Sequence, residues 1–203
     1  MSTNLREGQV DIISLNYTNT LEGLLGVEVK DNESIYDLFL KGDFRLGRIV
    51  HLHGLLDKEM DMGVNDDSQI KNKSIIDLDI VEEFVKPEYN DAAMNTNNEL
   101  AAELINQADT IIIFGSSLGV TDKKWWTLIG QNVEKRDCGL IYFVRDESKD
   151  DSIYPNYRKR WIREMMGVVK QRFELSGDVE VYMKRICIGL NKPIFSSVKI
   201  LKG

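Results

Sequence analysis

The stretch TIIIFGSSLG, residues 110–119, decides the fold class that this sequence predicts. An apolar run that ends at a glycine is typical of a strand in a parallel sheet covered on both faces. The pattern after it, at about 121–133, is helical. A strand that leads through a short turn into a helix is half of a βαβ unit, so this stretch predicts an α/β protein.

Strands and helices alternate along most of the chain. Strands are predicted at 10–15, 49–52, 110–115 and 139–144, and helices at 20–25, 75–85, 97–107 and 121–133. We therefore predict one domain, 1–203, with a three-layer, Rossmann-like parallel sheet in residues 9–146. The remainder, 147–203, is predicted to be mainly helical, with a last strand at 197–201.

Two local signals refine this prediction. Asn19 with Glu22 three residues later is the signature of a capped helix N-terminus. The polar stretch 57–74 is too long for an ordinary connection, which indicates a functional or mobile loop.

The charge of the chain limits its partners. The 203 residues carry a formal net charge of −7, which disfavours nonspecific binding of nucleic acid by the molecule as a whole. The stretch YRKRWIR, residues 157–163, nevertheless mixes cations with aromatic rings, as strand-binding surfaces do. The alternative interpretation is the solvent face of a helix whose Ile162, Met165 and Met166 point inward.

Cysteine spacing and hydropathy indicate the cellular compartment of the protein. Cys138 and Cys187 form neither a zinc-binding pair nor a disulfide framework, so we expect small core residues in a reducing compartment and no metal. The first ten residues lack the apolar segment of a signal peptide, and no apolar run is long enough to span a membrane. These features predict a cytoplasmic protein that does not bind membranes.

Both histidines of the chain, His51 and His53, lie in the stretch RIVHLHGLL, residues 48–56. On a strand their spacing places both side chains on one face, and Gly54 indicates that the strand ends there. Ligands of open parallel sheets bind outside the carboxyl ends of the strands. Two interpretations stay open: half-buried histidines bonded to neighbouring backbone, or a catalytic pair at a strand end.

The turn GSSLG, residues 115–119, also has more than one interpretation. It matches the Gly-x-Ser-x-Gly pattern of α/β-hydrolases with Ser117 as nucleophile, although both histidines precede the serine and the base of that fold follows it. As a backbone cradle, the turn would bond a ribose or phosphate through Ser116 and Ser117 beside a helix N-terminus. In the third interpretation, the serines only cap the helix, as residues 121–122 could also do.

Three segments at predicted strand ends, SLNYTNTLEGLLG, HLHG and FGSSLG, carry a resemblance to known families. Their order resembles the sirtuin superfamily. More specifically, the chain resembles the AbiH-like family of bacterial phage abortive infection proteins. The matching blocks are NYTNTLE at 16–22, HLHG at 51–54, GVND at 63–66 and FGSSLGVTDKKWW at 114–126. Together they span about residues 12–145.

The resemblance implies a site for nicotinamide adenine dinucleotide (NAD). It assigns the water or ribose near the labile bond to Asn16 and the general base to His53. His51, one step deeper on the predicted common face, is expected to be structural support. The resemblance assigns contacts with the cofactor ribose to Ser116 and Ser117, and we expect Tyr17, Gly115 and Asp122 to contact the cofactor as well. Cleavage of the bond from nicotinamide to ribose passes through an oxocarbenium-like state, for which an oriented water and a histidine base are suitable groups.

Two departures limit what the resemblance transfers. Sirtuin deacylases hold zinc with two cysteine pairs that this chain lacks, so protein deacylation is not expected. Members of both families usually begin with a strand and a glycine-rich turn that cradles the pyrophosphate, whereas residues 1–9 contain one glycine. We expect that this segment is missing, supplied by a partner, or lost together with dinucleotide binding.

The sequence thus predicts a phage-defence protein of the AbiH type, distantly sirtuin-like, that binds and hydrolyses NAD. Two alternatives stay open: a non-enzymatic module for nucleotide sensing or protein interaction, and a serine hydrolase that uses Ser117. The expected partners are a second copy of the chain or another chain of the defence system.

Overall fold

The computed structural model describes residues 8–28, 33–39, 44–56, 96–146, 155–177, 181–182 and 184–191. Its elements are β1 Gly8–Ser14, α1 Thr20–Leu25, β2 Glu33–Phe39, β3 Phe44–His51, α2 Asn97–Gln107, β4 Thr110–Phe114, a 3-10 turn Val120–Asp122, α3 Lys123–Lys135, β5 Gly139–Val144, α4 Pro155–Arg172 and β6 Ile186–Leu190. The chain divides into two compact units, Met1–Leu104 and Ile105–Gly203. The described strands form two three-stranded sheets.

The first sheet has the order β1-β3-β2, with β1 parallel and β2 antiparallel to the central strand. Its register shifts between Val10 and Ile12, where one extra residue of β3 must be accommodated. The Asp11 carboxylate fills this irregularity by accepting the backbone N–H of Arg48 at 2.7 Å. A Cβ atom at Gly47 would collide with the ends of the Asp11 and Gln9 side chains, so the glycine leaves room for the Asp11 carboxylate at this position.

The core of the first unit lies around β3. Leu46 and Ile49 are fully buried, and the partly buried apolar residues packed against them are Ile12, Leu21, Leu25 and Val27. Two of these residues belong to α1, so the short helix covers the sheet. Gly26 ends α1 in the left-handed conformation (φ 68°), which glycine adopts without steric cost.

The second sheet has the order β4-β5-β6, and both of its strand pairs are parallel. Its buried apolar residues are Ile113 in β4, Leu140 and Tyr142 in β5, and Ile186, Ile188 and Leu190 in β6. Helix α3 contributes Trp125, Trp126, Ile129 and Val133 to the buried set, and α4 contributes Trp161, Met166 and Val169. Together, these buried residues of the strands and of the two helices form the core of the second unit.

Gly130 brings α3 close to the chain that follows α4. A Cβ atom at this position would collide with the carbonyl oxygen of Phe173. Phe173 is itself 1% exposed, and its ring lies 6.1 Å from that of Trp126. The missing side chain of Gly130 therefore permits a close approach between buried segments.

Several elements agree with the sequence prediction. Helix α2 and strand β5 have the predicted bounds, Asn97–Gln107 and Gly139–Val144, and the described sheets contain parallel pairs. The helix predicted from residue 121 begins as a 3-10 turn and continues as α3. Helix α4 confirms a helical segment after residue 147, with Met166 buried and Ile162 and Met165 half-buried.

Other elements correct the prediction. Strand β2 was not predicted, and its antiparallel pairing makes the first sheet mixed. Strand β6, also not predicted, follows α4 and pairs with β5. Strand β4 is not covered on both faces, because Ile112 and Phe114 are 62% and 56% exposed. Strand β4 bonds to β5 in the second sheet, so the described strands are not joined in one sheet as predicted.

The cysteines differ from each other. Cys138 is buried as predicted, and this burial raises the pKa of its thiol. Cys187 is exposed on β6, which corrects its assignment to the core.

Some predictions lie outside the described residues: the loop at 57–74, the helix at 75–85, the GVND turn at 63–66 and the strand at 197–201. The three-layer arrangement and the single domain stay predictions. Among the helices that the structure describes, none is both long and apolar enough to cross a membrane.

Candidate functional site

The parallel pairing of β1 with β3 brings two predicted segments to one edge of the first sheet. Ser14, the last residue of β1, is in register with His51, the last residue of β3. The backbone N–H of Leu52 donates to the Ser14 carbonyl at 2.9 Å and extends this pairing by one residue. The polar segment after β1 and the histidines after β3 therefore start from adjacent strand ends.

His51 is held by a buried carboxylate. Its Nε2 atom lies 2.6 Å from Oε1 of Glu22, and the two side chains are 1% and 2% exposed. Its Nδ1 atom lies 3.4 Å from the carbonyl oxygen of Asn16. The pair thus joins the strand end to α1 and reaches the loop between β1 and α1.

The two partners of the ring define its hydrogen-bonding state. A carbonyl oxygen and a carboxylate are both acceptors, whereas a neutral imidazole carries one N–H. Both contacts are satisfied when His51 is an imidazolium that donates from each nitrogen to Asn16 and to an ionised Glu22. In this arrangement His51 has no lone pair available for general-base catalysis, which favours its predicted role as support.

Further contacts hold the backbone at the end of β3. The Asn97 side-chain amide, at the start of α2, donates to the His51 carbonyl at 3.1 Å. The N–H of Gly54 donates to the same carbonyl at 3.1 Å and closes a tight turn. Gly54 has a positive φ of 72°, so the turn needs a residue that tolerates the left-handed region.

His53 lies in this turn rather than on β3, which ends at His51. The predicted common face of the two histidines is therefore wrong, because strand alternation stops before His53. Its ring is 7% exposed and stacks on Tyr17 with 5.7 Å between centroids and 29° between planes. The N–H of Leu56 donates to the Tyr17 carbonyl at 2.8 Å and ties the two loops together.

Asn16 presents an exposed side chain beside these buried groups. Its backbone N–H lies 3.3 Å from Oγ of Ser14, which fixes the chain as it leaves β1. We call the set Ser14, Asn16, Tyr17, Glu22, His51 and His53 the β1–β3 site. It combines an exposed amide, a stacked imidazole and a buried histidine–carboxylate contact within the first unit.

Glu22 is the residue that the sequence analysis assigned differently. Asn19 occupies the N-cap position of α1, which confirms the predicted helix N-terminus, but its side chain makes no capping bond. The Glu22 carboxylate is buried against His51 instead, and within the described residues its Oε2 atom has no hydrogen-bond partner. The available signal was position: Glu22 adjoins Leu21 and precedes Leu25, on the helix side that faces the core.

The turn GSSLG of the second unit is shaped by its own hydrogen bonds. The Oγ atom of Ser116 accepts the N–H of Leu118 at 3.1 Å, and the Ser116 carbonyl accepts the Tyr142 hydroxyl at 2.9 Å. Leu118 is fully buried with a positive φ of 54°. The indole N–H of Trp126 donates to the Gly119 carbonyl at 2.7 Å.

Because of these bonds, some residues predicted to contact a cofactor hold the turn in shape, and others are exposed to solvent. Ser116 holds the turn, whereas Gly115 (φ 70°) and Ser117 are exposed. Asp122 occupies the N-cap position of α3 without a side-chain capping bond, and its Oδ2 atom accepts the Thr121 hydroxyl at 3.3 Å. Helix capping by this aspartate, one of the interpretations of the turn, is therefore not observed.

The structure places the predicted residues in two groups. Asn16, Tyr17 and His53 belong to the β1–β3 site, and the predicted residues from 115 to 122 belong to the second unit. A site shared by the two groups stays a prediction. The second unit contains no histidine in its sequence, so Ser117 has no imidazole base within its own unit.

Comparison with known proteins identifies a family. The family model described as bacteriophage abortive infection AbiH matches residues 2–144, which is more than half of the chain. The match includes both the β1–β3 site and the turn GSSLG. No curated protein and no solved structure matched the chain.

Proposed function

The chain belongs to the bacteriophage abortive infection AbiH family, and we propose that it serves phage defence by binding NAD at the β1–β3 site and cleaving its nicotinamide–ribose bond. One observation carries the assignment to this site. The register of Ser14 with His51 brings the segment of Asn16 and the turn of His53 to adjacent strand ends. Carboxyl ends of parallel strands are where α/β sheets bind their ligands.

The residue types suit the proposed cleavage. Departure of nicotinamide leaves positive charge on the ribose, so the reaction needs a water or hydroxyl that is positioned and deprotonated as it attacks. The exposed amide of Asn16 can orient that water, and His53 can accept its proton. Tyr17 stacks on the His53 ring and restricts its rotation.

His51 and Glu22 support this arrangement without touching the substrate. The pair fixes the Asn16 carbonyl through Nδ1 of His51 and therefore the backbone from which the amide projects. Positioning by such contacts matters because small displacements of a reacting group cost a large part of the rate. We assign both residues as positioning residues.

In the second unit by itself, the turn GSSLG is the proposed contact for a ribose or phosphate group. The exposed hydroxyl of Ser117 and the backbone of Gly115 are the groups available for this role, since the Ser116 hydroxyl already accepts Leu118 N–H. This assignment needs no covalent step at Ser117.

Calorimetry with NAD and chromatographic detection of released nicotinamide test the proposal. We expect the wild-type chain to bind NAD weakly and to release nicotinamide slowly, because residues 1–9 contain one glycine and do not resemble the turn that cradles the pyrophosphate. His53→Ala should lower turnover about a hundredfold to ten-thousandfold, the range for a lost general base, while binding persists. Asn16→Ala should lower both NAD binding and nicotinamide release. Asn19→Ala is the matched control, because Asn19 is an exposed asparagine of the same loop whose side chain makes no capping bond.

The outcomes separate the alternatives. Binding without nicotinamide release in the wild-type chain would reject cleavage and favour a nucleotide-sensing module. Failure to bind NAD would reject the proposed ligand. Turnover unaffected by His53→Ala would remove this histidine from the reaction.

A further inference from the structure

Helix α4 concentrates positive charge in an acidic chain. Pro155–Arg172 contains six arginine and lysine residues and one acidic residue, Glu164, whereas the whole chain has a formal net charge of −7. Such charge asymmetry is typical of a surface that binds a polyanion. We propose that the exposed face of α4 binds the phosphate backbone of a single-stranded nucleic acid.

Three of the cations form one line along the helix. At 100° per residue, Lys170 is rotated by about 20° and Arg163 by about 40° from Lys159. At a rise of 1.5 Å per residue, the line is about 16 Å long. We call Lys159, Arg163 and Lys170 the α4 basic stripe.

The stripe lies at the border between the exposed and the buried side of α4, because the buried Met166 is about 20° around the helix from Lys159. Lys159 and Arg163 are exposed, and Lys170 is half-buried. The Nε atom of Arg163 donates to the Lys159 carbonyl at 3.4 Å, which holds the arginine along the helix surface. Arg160 is also exposed but is paired with Glu164 at 2.9 Å, so the three stripe residues carry the argument.

The apolar residues of the helix decide between two polyanions. An amphipathic helix that binds a membrane surface needs a free apolar face. In α4 the apolar residues Trp161, Met166 and Val169 are buried at 6%, 7% and 0% exposure, and Val168 alone among its aliphatic residues is exposed, at 38%. A surface with cations and without a free apolar face suits nucleic acid, because phosphate contacts alone supply most of nonspecific nucleic-acid affinity.

An exposed aromatic ring favours a single strand over a duplex. Tyr157, in the first turn of α4, is 70% exposed and lies about 160° around the helix from Lys159, so a strand that contacts both must bend around the start of the helix. Bases of single strands stack on such rings independently of sequence, and duplex bases are not available for this contact. The inference concerns α4 alone and does not depend on NAD cleavage.

Fluorescence anisotropy tests the proposal with labelled DNA and RNA strands of about 16 nucleotides, the upper range of known site sizes. The test variant is Lys159→Ala with Arg163→Ala and Lys170→Ala. The matched control is Lys124→Ala with Lys135→Ala and Lys184→Ala, which removes the same charge from exposed positions outside α4. Titrations at about 50 and about 200 mM salt give the number of phosphate contacts.

We expect the stripe variant to bind about tenfold more weakly or worse, with a salt slope lower by about 2, because each single-strand contact contributes about 0.7. The control should stay within about twofold of wild type. Tyr157→Ala should weaken binding about fivefold or more, as expected for one lost stacking contact. Circular dichroism verifies that the variants fold. The double variant Lys159→Gln with Arg163→Gln, measured by the same anisotropy titration, tests the two exposed stripe positions without changing Lys170.

Three results would overturn the proposal. The first is no binding of either strand by the wild-type chain at low salt. The second is equal weakening in the stripe and control variants, which would assign binding to net charge. The third is stripe-dependent binding of phosphatidylserine vesicles without binding of oligonucleotides, which would assign the face to membranes.

Discussion

The Glu22 carboxylate and the His51 imidazole form a buried pair, with Oε1 and Nε2 2.6 Å apart. The pair connects α1 to the last residue of β3, and His51 reaches the loop after β1 through its second nitrogen. Its main effect is specification of geometry, because replacing a buried ion pair by apolar residues is often neutral for stability. Removing one partner alone is costly, since the other charge stays buried.

Single and double variants of this pair should therefore differ. We expect Glu22→Ala and His51→Ala each to lower the free energy of unfolding by about 3–5 kcal/mol, the cost of an uncompensated buried charge. The double variant should lose less than the sum of the two. Urea unfolding followed by far-ultraviolet circular dichroism measures the three values, with Glu99→Ala at an exposed position of α2 as control. Additive losses would show that the contact contributes no coupling.

Nitrogen NMR can test the protonation state of His51. Because its ring faces two acceptors, we expect both of its ring nitrogens to carry protons in the folded chain. The chain has two histidines, so the spectrum of ¹⁵N-histidine-labelled protein is assigned with His53→Ala. Glu22→Gln should change the Nε2 signal of His51 more than the Nδ1 signal. A ring nitrogen of His51 with an unprotonated signature would contradict the imidazolium assignment.

The elements predicted with accurate bounds are those whose signals are local. Helix α2 has apolar residues at helical spacing, and β5 is a continuous apolar run. Strand β2 and strand β6 are defined by partners elsewhere in the chain, since each forms by pairing with β3 or β5. Short segments of this kind carry little periodicity, so tertiary pairing decides their structure.

The site was predictable in position but not in its chemistry. Glycines and polar residues follow the apolar runs of the sequence, and from this pattern Asn16, His53 and Ser116 were predicted to lie at strand ends. The partner of His51 required three-dimensional information, because Glu22 also fits a capping motif three residues after Asn19. The exposure of Ile112 and Phe114 was likewise hidden, since an apolar run does not reveal which of its faces is covered.

Two glycines give a matched pair of stability predictions. Gly130→Ala should lower the free energy of unfolding by about 1–3 kcal/mol, because the new methyl group collides with the Phe173 carbonyl. Gly167→Ala in α4 meets no atom within 4 Å and should raise it by up to about 1 kcal/mol through helix propensity. Urea unfolding followed by tryptophan fluorescence reports on both, since Trp126 lies beside Phe173. Equal effects of the two substitutions would refute the close approach at Gly130.

The last prediction concerns Glu134 and the turn after α4. Burial raises the pKa of its carboxyl, but hydrogen bonds from the Ser176 backbone and hydroxyl, the Gly177 N–H and the Tyr182 hydroxyl outweigh this effect and lower the pKa below 4.5. The backbone nitrogen of Ser176 lies 2.5 Å from Oε1 of Glu134, closer than the Ser176 hydroxyl or the Gly177 nitrogen. A lowered folded pKa means that the carboxylate stabilises the fold above the unfolded pKa of about 4.5.

This stabilisation should disappear as the pH falls from about 4.5 through the lower folded pKa of Glu134. We expect Glu134→Gln to be less stable than wild type at neutral pH and the difference to shrink in acid. Urea unfolding of both proteins at neutral pH and in steps below about pH 4.5 measures this difference. Glu99→Gln, at an exposed position of α2, controls for the loss of one negative charge. A difference between Glu134→Gln and wild type that is constant with pH would show that the carboxylate form of Glu134 is not what stabilises this turn.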